Sequence, residues 1–192
     1  MIRGMPNVSD LAELPRRAVV AVAVRCARRV QPWFQELPEE HAGRIDQALS
    51  LVEGLINQEE WSSAKVGREV NSTALFARAA AARGHRDAAL AVPFLARVGD
   101  AVAMNAHFAA AQAAATAVFA LGSLTKSEIG LVEAAVDADY QRLQELNLGV
   151  AETVGSPFDP TESGPLGALW PAGIPSLWQS LAAGESSSRS AI

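Results

Sequence analysis

Hydrophobic residues recur at helical spacing along most of the chain. Between Pro15 and Leu37 they fall three or four residues apart, and Pro15 suits the first turn of a helix. Pro32 is expected to kink or end this first helix, because it cannot bond to the Arg28 carbonyl. The apolar stripe consists of Val19, Val22, Cys26, Val30, Trp33 or Phe34, and Leu37. The pattern places the arginines of this helix largely away from the stripe.

The same spacing predicts three further helical segments. Pro38 opens the second helix, whose apolar stripe runs from Ile45 to Ile56. The third spans about residues 59–82, and either Gly67 or the cluster at 71–73 is expected to divide it. The fourth covers residues 86–99, where Pro93 predicts a short helix followed by a kink or turn.

Residues 100–121 form an alanine-rich stretch with no charge after Asp100. Alanine loses no side-chain entropy in a helix, so the stretch predicts a central, buried helix. Its length would also allow a membrane span. Its internal polar residues and scarcity of leucine favour burial among other helices instead. Bulky side chains are expected to fill the gaps beside the alanines: Met104, Phe108, Val118 and Phe119.

The clearest boundary is Thr125-Lys126-Ser127-Glu128, a capping-box pattern that starts a helix ending before Gly149. Residues 149–178 then contain five prolines and five glycines, together with Trp170 and Trp178. The many large apolar residues favour an extended arm packed on the bundle. A partner-binding peptide and disorder are the alternatives.

These patterns predict an all-α protein, a single bundle of five to seven helices with this Pro/Gly/Trp-rich C-terminal arm packed on it. We expect a loosely ordered N-terminus at 1–14, a helical bundle at 15–148, the arm at 149–180 and a mobile tail at 181–192.

Charge and cysteine content narrow the function classes. The net charge of −5 does not favour nucleic acid. One cysteine, Cys26, excludes an internal disulfide and fits a cytoplasmic protein, and no secretory signal is recognised. Residues 1–36 have a net charge of +3 and residues 128–192 a net charge of −7. Either these segments attract each other, or one of them faces a partner.

Catalytic and metal-binding patterns are weak in this sequence. The three histidines lack the paired spacing of zinc or di-iron sites, and no phosphate-binding glycine loop is present. Asp100, Asn105 and His107 are a candidate polar core or ligand site, with Asp100 and His107 on one helix face. A core or interface histidine hydrogen-bonded to a neighbouring helix is the favoured interpretation of His107. We therefore expect no enzyme activity, no metal site and no cofactor.

Two groups are candidates for protein recognition. Arg25, Arg28 and Arg29 cluster within two helical turns, and they suit acids of this chain or of a protein partner. Trp170 and Trp178 are the second group, within the arm. The expected partner is a protein, either a toxin or an assembly subunit. A homo-oligomer is left open, and no membrane association is expected.

Residues 15–121 resemble the all-helical immunity proteins of bacterial polymorphic-toxin systems. The resemblance depends on the run RAVVAVAVRCARRVQPWFQ, on IDQALSLVEGL and on the alanine-rich helices from Ala79 to Ala120. The matching positions are Cys26, Ala27, Val30 and Pro32, then Ile45, Ala48 and Gly54. The histidine pairs of that family are reduced here to Gly84-His85 and Ala106-His107. The arm DPTESGPLGALWPAGIPSLW is similar to the C-terminus of a group of uncharacterised bacterial proteins.

Three functional hypotheses follow. The first is a non-enzymatic helical binding protein, an immunity- or antitoxin-like inhibitor, as the resemblance implies. The second is a structural or adaptor subunit of a bacterial assembly, in which the arm docks on a neighbouring chain. The third is a ligand-binding or enzymatic bundle.

Overall fold

The chain is all-helical, as the sequence predicts. The structure is a computed structural model and describes residues 5–58, 63–124, 128–147 and 157–182, a part of the chain that contains no strand. The helices are α1 (Val8–Ala12), α2 (Arg16–Arg29), a 3₁₀ helix (Gln31–Glu36), α3 (Glu39–Ile56), α4 (Ser63–Ala81), α5 (Arg86–Ala103), α6 (His107–Leu124), α7 (Ile129–Asn147) and α8 (Ser176–Ala182). As predicted, the first long helix ends just before Pro32.

The central element of the fold is α2. Every residue from Arg17 to Ala27 is buried, and α2 packs against α3, α5, α6 and α7. Its Val and Ala side chains are short, so neighbouring helices approach it closely from all sides. The prediction that residues 100–121 form the central helix is therefore wrong.

The alanine-rich stretch is divided between two helices. α5 ends at Ala103, Met104 has an extended backbone, and α6 begins at His107. The Arg16 guanidinium donates to the Val102 and Met104 carbonyls, which satisfies acceptors that a helix leaves free at its C-terminus.

α6 is buried on its alanine side only, including Ala110 and Ala114. Of the bulky residues expected to fill gaps in the core, only Val118 is buried. Phe108 and Phe119 are 62% and 74% exposed, and Met104 is also exposed. Among the described residues, one helix, α6, is long enough and apolar enough to cross a membrane. Core helices of soluble proteins share this property.

The breaks predicted in the third and fourth helices do not occur. α5 continues through Pro93, which is exposed together with Ala89, so the carbonyl that loses its helical bond stays accessible to water. α4 continues through Gly67 because this glycine lies at the crossing with α5. A Cβ built on Gly67 would lie 2.7 Å from the Ala103 Cβ. Gly67 therefore permits close packing rather than ending the helix.

Replacing Gly67 with alanine is expected to lower the free energy of unfolding by about 1–3 kcal/mol, because the added methyl forces α4 and α5 apart. Gly54→Ala is the matched control, since Gly54 is also helical and has open space around its Cα. Alanine there should be neutral or stabilising by up to about 1 kcal/mol. Urea unfolding of both variants measures the difference, and equal midpoints would contradict the close crossing.

Within the segment 1–14, which was expected to be loosely ordered, residues 5–14 are described and contain the short helix α1. Asn7 caps α1 by accepting from the Ser9 and Asp10 amides, while Asp10 accepts from the Asn7 amide at 2.8 Å. Leu11 is fully buried. The capping residue predicted at Thr125 lies outside the described residues, as do residues 149–156 of the arm and the tail from 183. The Glu128 carboxylate accepts from the backbone and hydroxyl of Ser176.

Candidate functional site

The arginines of α2 donate to separate parts of the fold. Arg17 binds the Ile56 and Gln58 carbonyls at the end of α3, as Arg16 does at the end of α5. Arg28 makes two hydrogen bonds of 2.7 Å to the Glu53 carboxylate and a third to Asp46. Arg28 also holds the pKa of Asp46 below its usual value through its hydrogen bond. These contacts fix α3 and α5 around α2.

Arg25 and Arg29 form a buried cluster with Asp139 of α7. The Arg25 Nε donates to one Asp139 oxygen at 2.9 Å, and the Arg29 Nη2 donates to the other at 2.7 Å. The three residues are at most 2% exposed. One carboxylate thus lies between two guanidinium groups, away from water.

The remaining donors of the cluster bind the arm through its backbone. Arg25 donates to the carbonyls of Pro160, Gly167 and Ala168 at 2.9–3.1 Å. Arg29 donates to the Leu169 carbonyl at 2.9 Å. These carbonyl oxygens are uncharged acceptors, so they satisfy the remaining N–H groups, while the two guanidiniums and the one carboxylate keep a net positive charge.

Three tryptophans pack beside the cluster. The Trp178 ring lies 5.3 Å from Trp33 of the 3₁₀ helix and 5.4 Å from Trp170, measured between ring centroids. The Arg29 guanidinium lies over the Trp170 ring at 5.5 Å. The arm is therefore held by two kinds of contact within its own chain: packing of apolar rings and hydrogen bonds from arginines.

The structure corrects the hypothesis that these residues form a partner-facing surface. Arg25, Arg29 and Trp178 are buried, Trp170 is half-buried, and Arg28 is paired with α3. Of the two interpretations of the uneven charge, the contacts fit attraction between the first and last segments, since Arg25 and Arg29 pair with Asp139.

The candidate polar site at Asp100, Asn105 and His107 is not brought together. Asp100 lies on α5 and pairs with Arg97 at 3.0 Å, Asn105 is exposed between helices, and His107 begins α6. The His107 Nε2–H donates to the Ala12 carbonyl at 3.0 Å, which ties α6 to α1. The prediction that Asp100 and His107 share a helix face is wrong. Within the described ranges, no three potential metal ligands converge.

Cys26 lies on the buried face of α2, and burial raises the pKa of its thiol to about 12. Thiol reagents attack the thiolate, so we expect the folded protein to react with a disulfide reagent far more slowly than the urea-unfolded chain. Absorbance at neutral pH with and without urea measures the ratio. Equal rates would contradict the burial of Cys26.

A groove with a volume of about 780 Å³ lies between α3 and α4. Apolar side chains line its floor and edges: Ala48, Leu51, Leu55, Val66 and Phe76. Arg44 lies over the Phe76 ring at 5.6 Å at one end, and Lys65 lines the groove near the start of α4. The sequence pattern does not predict this groove, because the exposure of Leu51 and Phe76 is seen only in the folded chain.

Comparisons of the chain with protein-family models, with curated proteins and with solved structures found no match.

Proposed function

We propose that this chain is a non-enzymatic, cytoplasmic protein-binding module that acts as an immunity- or antitoxin-like inhibitor of a partner protein. It requires no cofactor or metal. The groove between α3 and α4 is the observation that supports this proposal, and its occupant is a helical segment of the partner. Because residues 15–121 resemble immunity proteins, we propose that the partner is a toxin.

The dimensions of the groove suit a helix. Its α3 wall runs from Arg44 to Leu55, which is about 16 Å of helix axis. A bound helix of roughly three turns would fill this length and place one apolar face on Leu51, Leu55 and Phe76. Leu51 and Phe76 are 43% and 51% exposed in the free chain, so docking would remove apolar surface from water.

The charges along the groove indicate which charges a bound helix would carry. Arg44 and Lys65 line its two ends, and Glu69 is the acidic residue of the lining. Arg44 already pairs with Glu40 of its own helix at 2.8 Å, so we expect a partner helix with an apolar stripe and with a carboxylate at the end that faces Lys65. Such pairs at a rim contribute mainly to association rate and register.

The proposed fold unit is one domain, with the bundle at 15–148 and the arm at 149–180 packed on it. The hydrogen bonds from Arg25 and Arg29 to the arm support this assignment. They also disfavour the adaptor hypothesis in its original form, because the described part of the arm is engaged within its own chain.

The experiment uses the purified chain and the purified product of the gene next to its own. Calorimetric titration is expected to show one-to-one binding, and co-expression is expected to relieve toxicity of that product. Leu51→Lys should weaken binding by at least about 30-fold, since it places a charge among the apolar side chains of the groove. Circular dichroism checks that the variant is folded.

Leu90→Lys is the matched control. Leu90 is 45% exposed, close to the 43% of Leu51, but it lies on α5 outside the groove. Binding that is equally reduced by both substitutions, or by neither, would contradict the groove as the docking site. A neighbouring gene product that neither binds nor is toxic would overturn the inhibitor proposal.

A further inference from the structure

The outer face of α6 is a further exposed apolar surface among the described residues. Phe108 and Phe119 are among the most exposed large apolar side chains of the described residues. They are eleven residues apart, which is three helical turns, so they lie on the same face with about 16 Å between them. Two exposed phenylalanines on one helix face, with small or uncharged side chains between them, form a strip that a partner could cover.

α6 also contains no charged residue over its 18 positions, in a chain with 19% charged residues. The polar residues between the phenylalanines are Gln112 and Thr116, and the Thr116 hydroxyl donates to the Gln112 carbonyl of its own helix at 2.8 Å. The hydroxyl is thus satisfied internally. Unlike the Thr116 hydroxyl, the Gln112 side-chain amide can therefore form hydrogen bonds with a partner.

We infer that this face binds a second copy of the chain, with the two α6 helices antiparallel. In a two-fold interface each patch meets itself, so a charge near the axis would face a like charge. The copies each have a net charge of −5 and repel at long range, which favours contact at a face without charge. The neutrality of α6 is what self-association requires.

The spacing of the side chains fits the antiparallel register. Phe108 and Phe119 lie symmetrically about a point between Ala113 and Ala114, about two residues before the middle of α6. Antiparallel pairing about this point places Phe108 of one copy against Phe119 of the other, twice. The short side chains between them, Ala115 and Thr116, allow close helix contact, and the two Gln112 amides come near the axis, where they can bond reciprocally.

The contact area is modest. A helix of this length is about 27 Å long, and one face of it buries well under the roughly 800 Å² per partner of a standard stable interface. We therefore expect a dimer that forms at micromolar or higher concentration. This inference is independent of the groove between α3 and α4, which lies on other helices.

Sedimentation equilibrium across a concentration series tests the inference. The wild-type chain is expected to move from monomer to dimer. Phe108→Lys and Phe119→Glu should each weaken dimerisation by at least about tenfold, because each buries a charge against an apolar ring. Leu75→Glu is the matched control, since Leu75 is 69% exposed on α4 outside this face and should leave dimerisation unchanged.

The double variant Phe108→Lys/Phe119→Glu tests the register. Antiparallel pairing places lysine against glutamate at both ends and should restore dimerisation, whereas parallel pairing would oppose like charges. A wild-type chain that remains monomeric throughout the series, or a dimer insensitive to both single variants, would overturn the inference. So would flotation of the wild type, but not of the variants, with phosphatidylcholine–phosphatidylglycerol vesicles, which would make lipid the occupant of the face.

Discussion

Replacing Asp139 with alanine is expected to lower the free energy of unfolding by about 3–5 kcal/mol. Asp139 is the carboxylate that both Arg25 and Arg29 contact, and all three side chains are buried. Its removal leaves two guanidinium groups in a low-dielectric interior without a counter-charge. Chemical denaturation of the full chain, followed by far-UV circular dichroism, measures the loss.

Two variants separate this effect from general damage to α7. Asp139→Asn keeps the shape but removes the charge, and it should recover little of the stability. Asp137→Ala removes a half-buried carboxylate that bonds Gln141 on the same helix, and it should change stability by less than about 0.5 kcal/mol. A loss at Asp139 no larger than the loss at Asp137 would contradict the role of the buried cluster.

Replacing Trp178 with alanine is expected to cost about 3–5 kcal/mol, the usual range for a buried tryptophan. The ring is 1% exposed and packs between Trp33 and Trp170. Its Nε1 has no hydrogen-bond partner within the described residues, so the expected loss comes from apolar contact and a cavity. The same unfolding experiment measures it.

Ile174→Ala is the control in the same arm. Ile174 is 47% exposed, so truncating it should have little effect on stability. If Trp178→Ala proves as mild as Ile174→Ala, the arm does not contribute to the stability of the bundle.

Helical periodicity predicted the elements well because burial on one face dominates their sequence. The stripe from Val19 to Leu37 is buried throughout, and α7 spans the segment expected before Gly149. Proline and glycine residues were less informative about where helices end. Pro93 and Gly67 lie inside continuous helices, since solvent at one and a close helix crossing at the other compensate for the local cost.

The central helix was misidentified because alanine content does not distinguish a core helix from a half-buried one. α2 is buried on all sides despite five arginines, since each guanidinium reaches carbonyls or carboxylates of other elements. Those partners are far away in sequence, from α3 to the arm, so the pattern within α2 could not reveal them. Pairing of the arginine cluster with acids of this chain was an expected alternative, but the particular acids were not identified.

The position of Asp139 in the sequence carries a signal of its buried role. It falls on the apolar stripe of α7, three residues after Val136 and four before Leu143, both buried. A carboxylate on such a stripe requires a buried cation as its partner. The groove between α3 and α4 had a weaker signal, because its walls are ordinary amphipathic helices whose exposed apolar residues become adjacent only after folding.

Hydrogen exchange on the arm tests the central claim, that the arginines of α2 hold residues 157–182 on the chain's own bundle. The measurement is made at a concentration where sedimentation shows a monomer. We predict slow exchange at the Leu169 amide, which donates to Glu162, and at the Trp178 amide, which donates to the Pro175 carbonyl. Both amides should exchange markedly faster in Asp139→Asn while the α3 amides remain protected. Fast exchange of the arm amides in the wild-type monomer would contradict the claim.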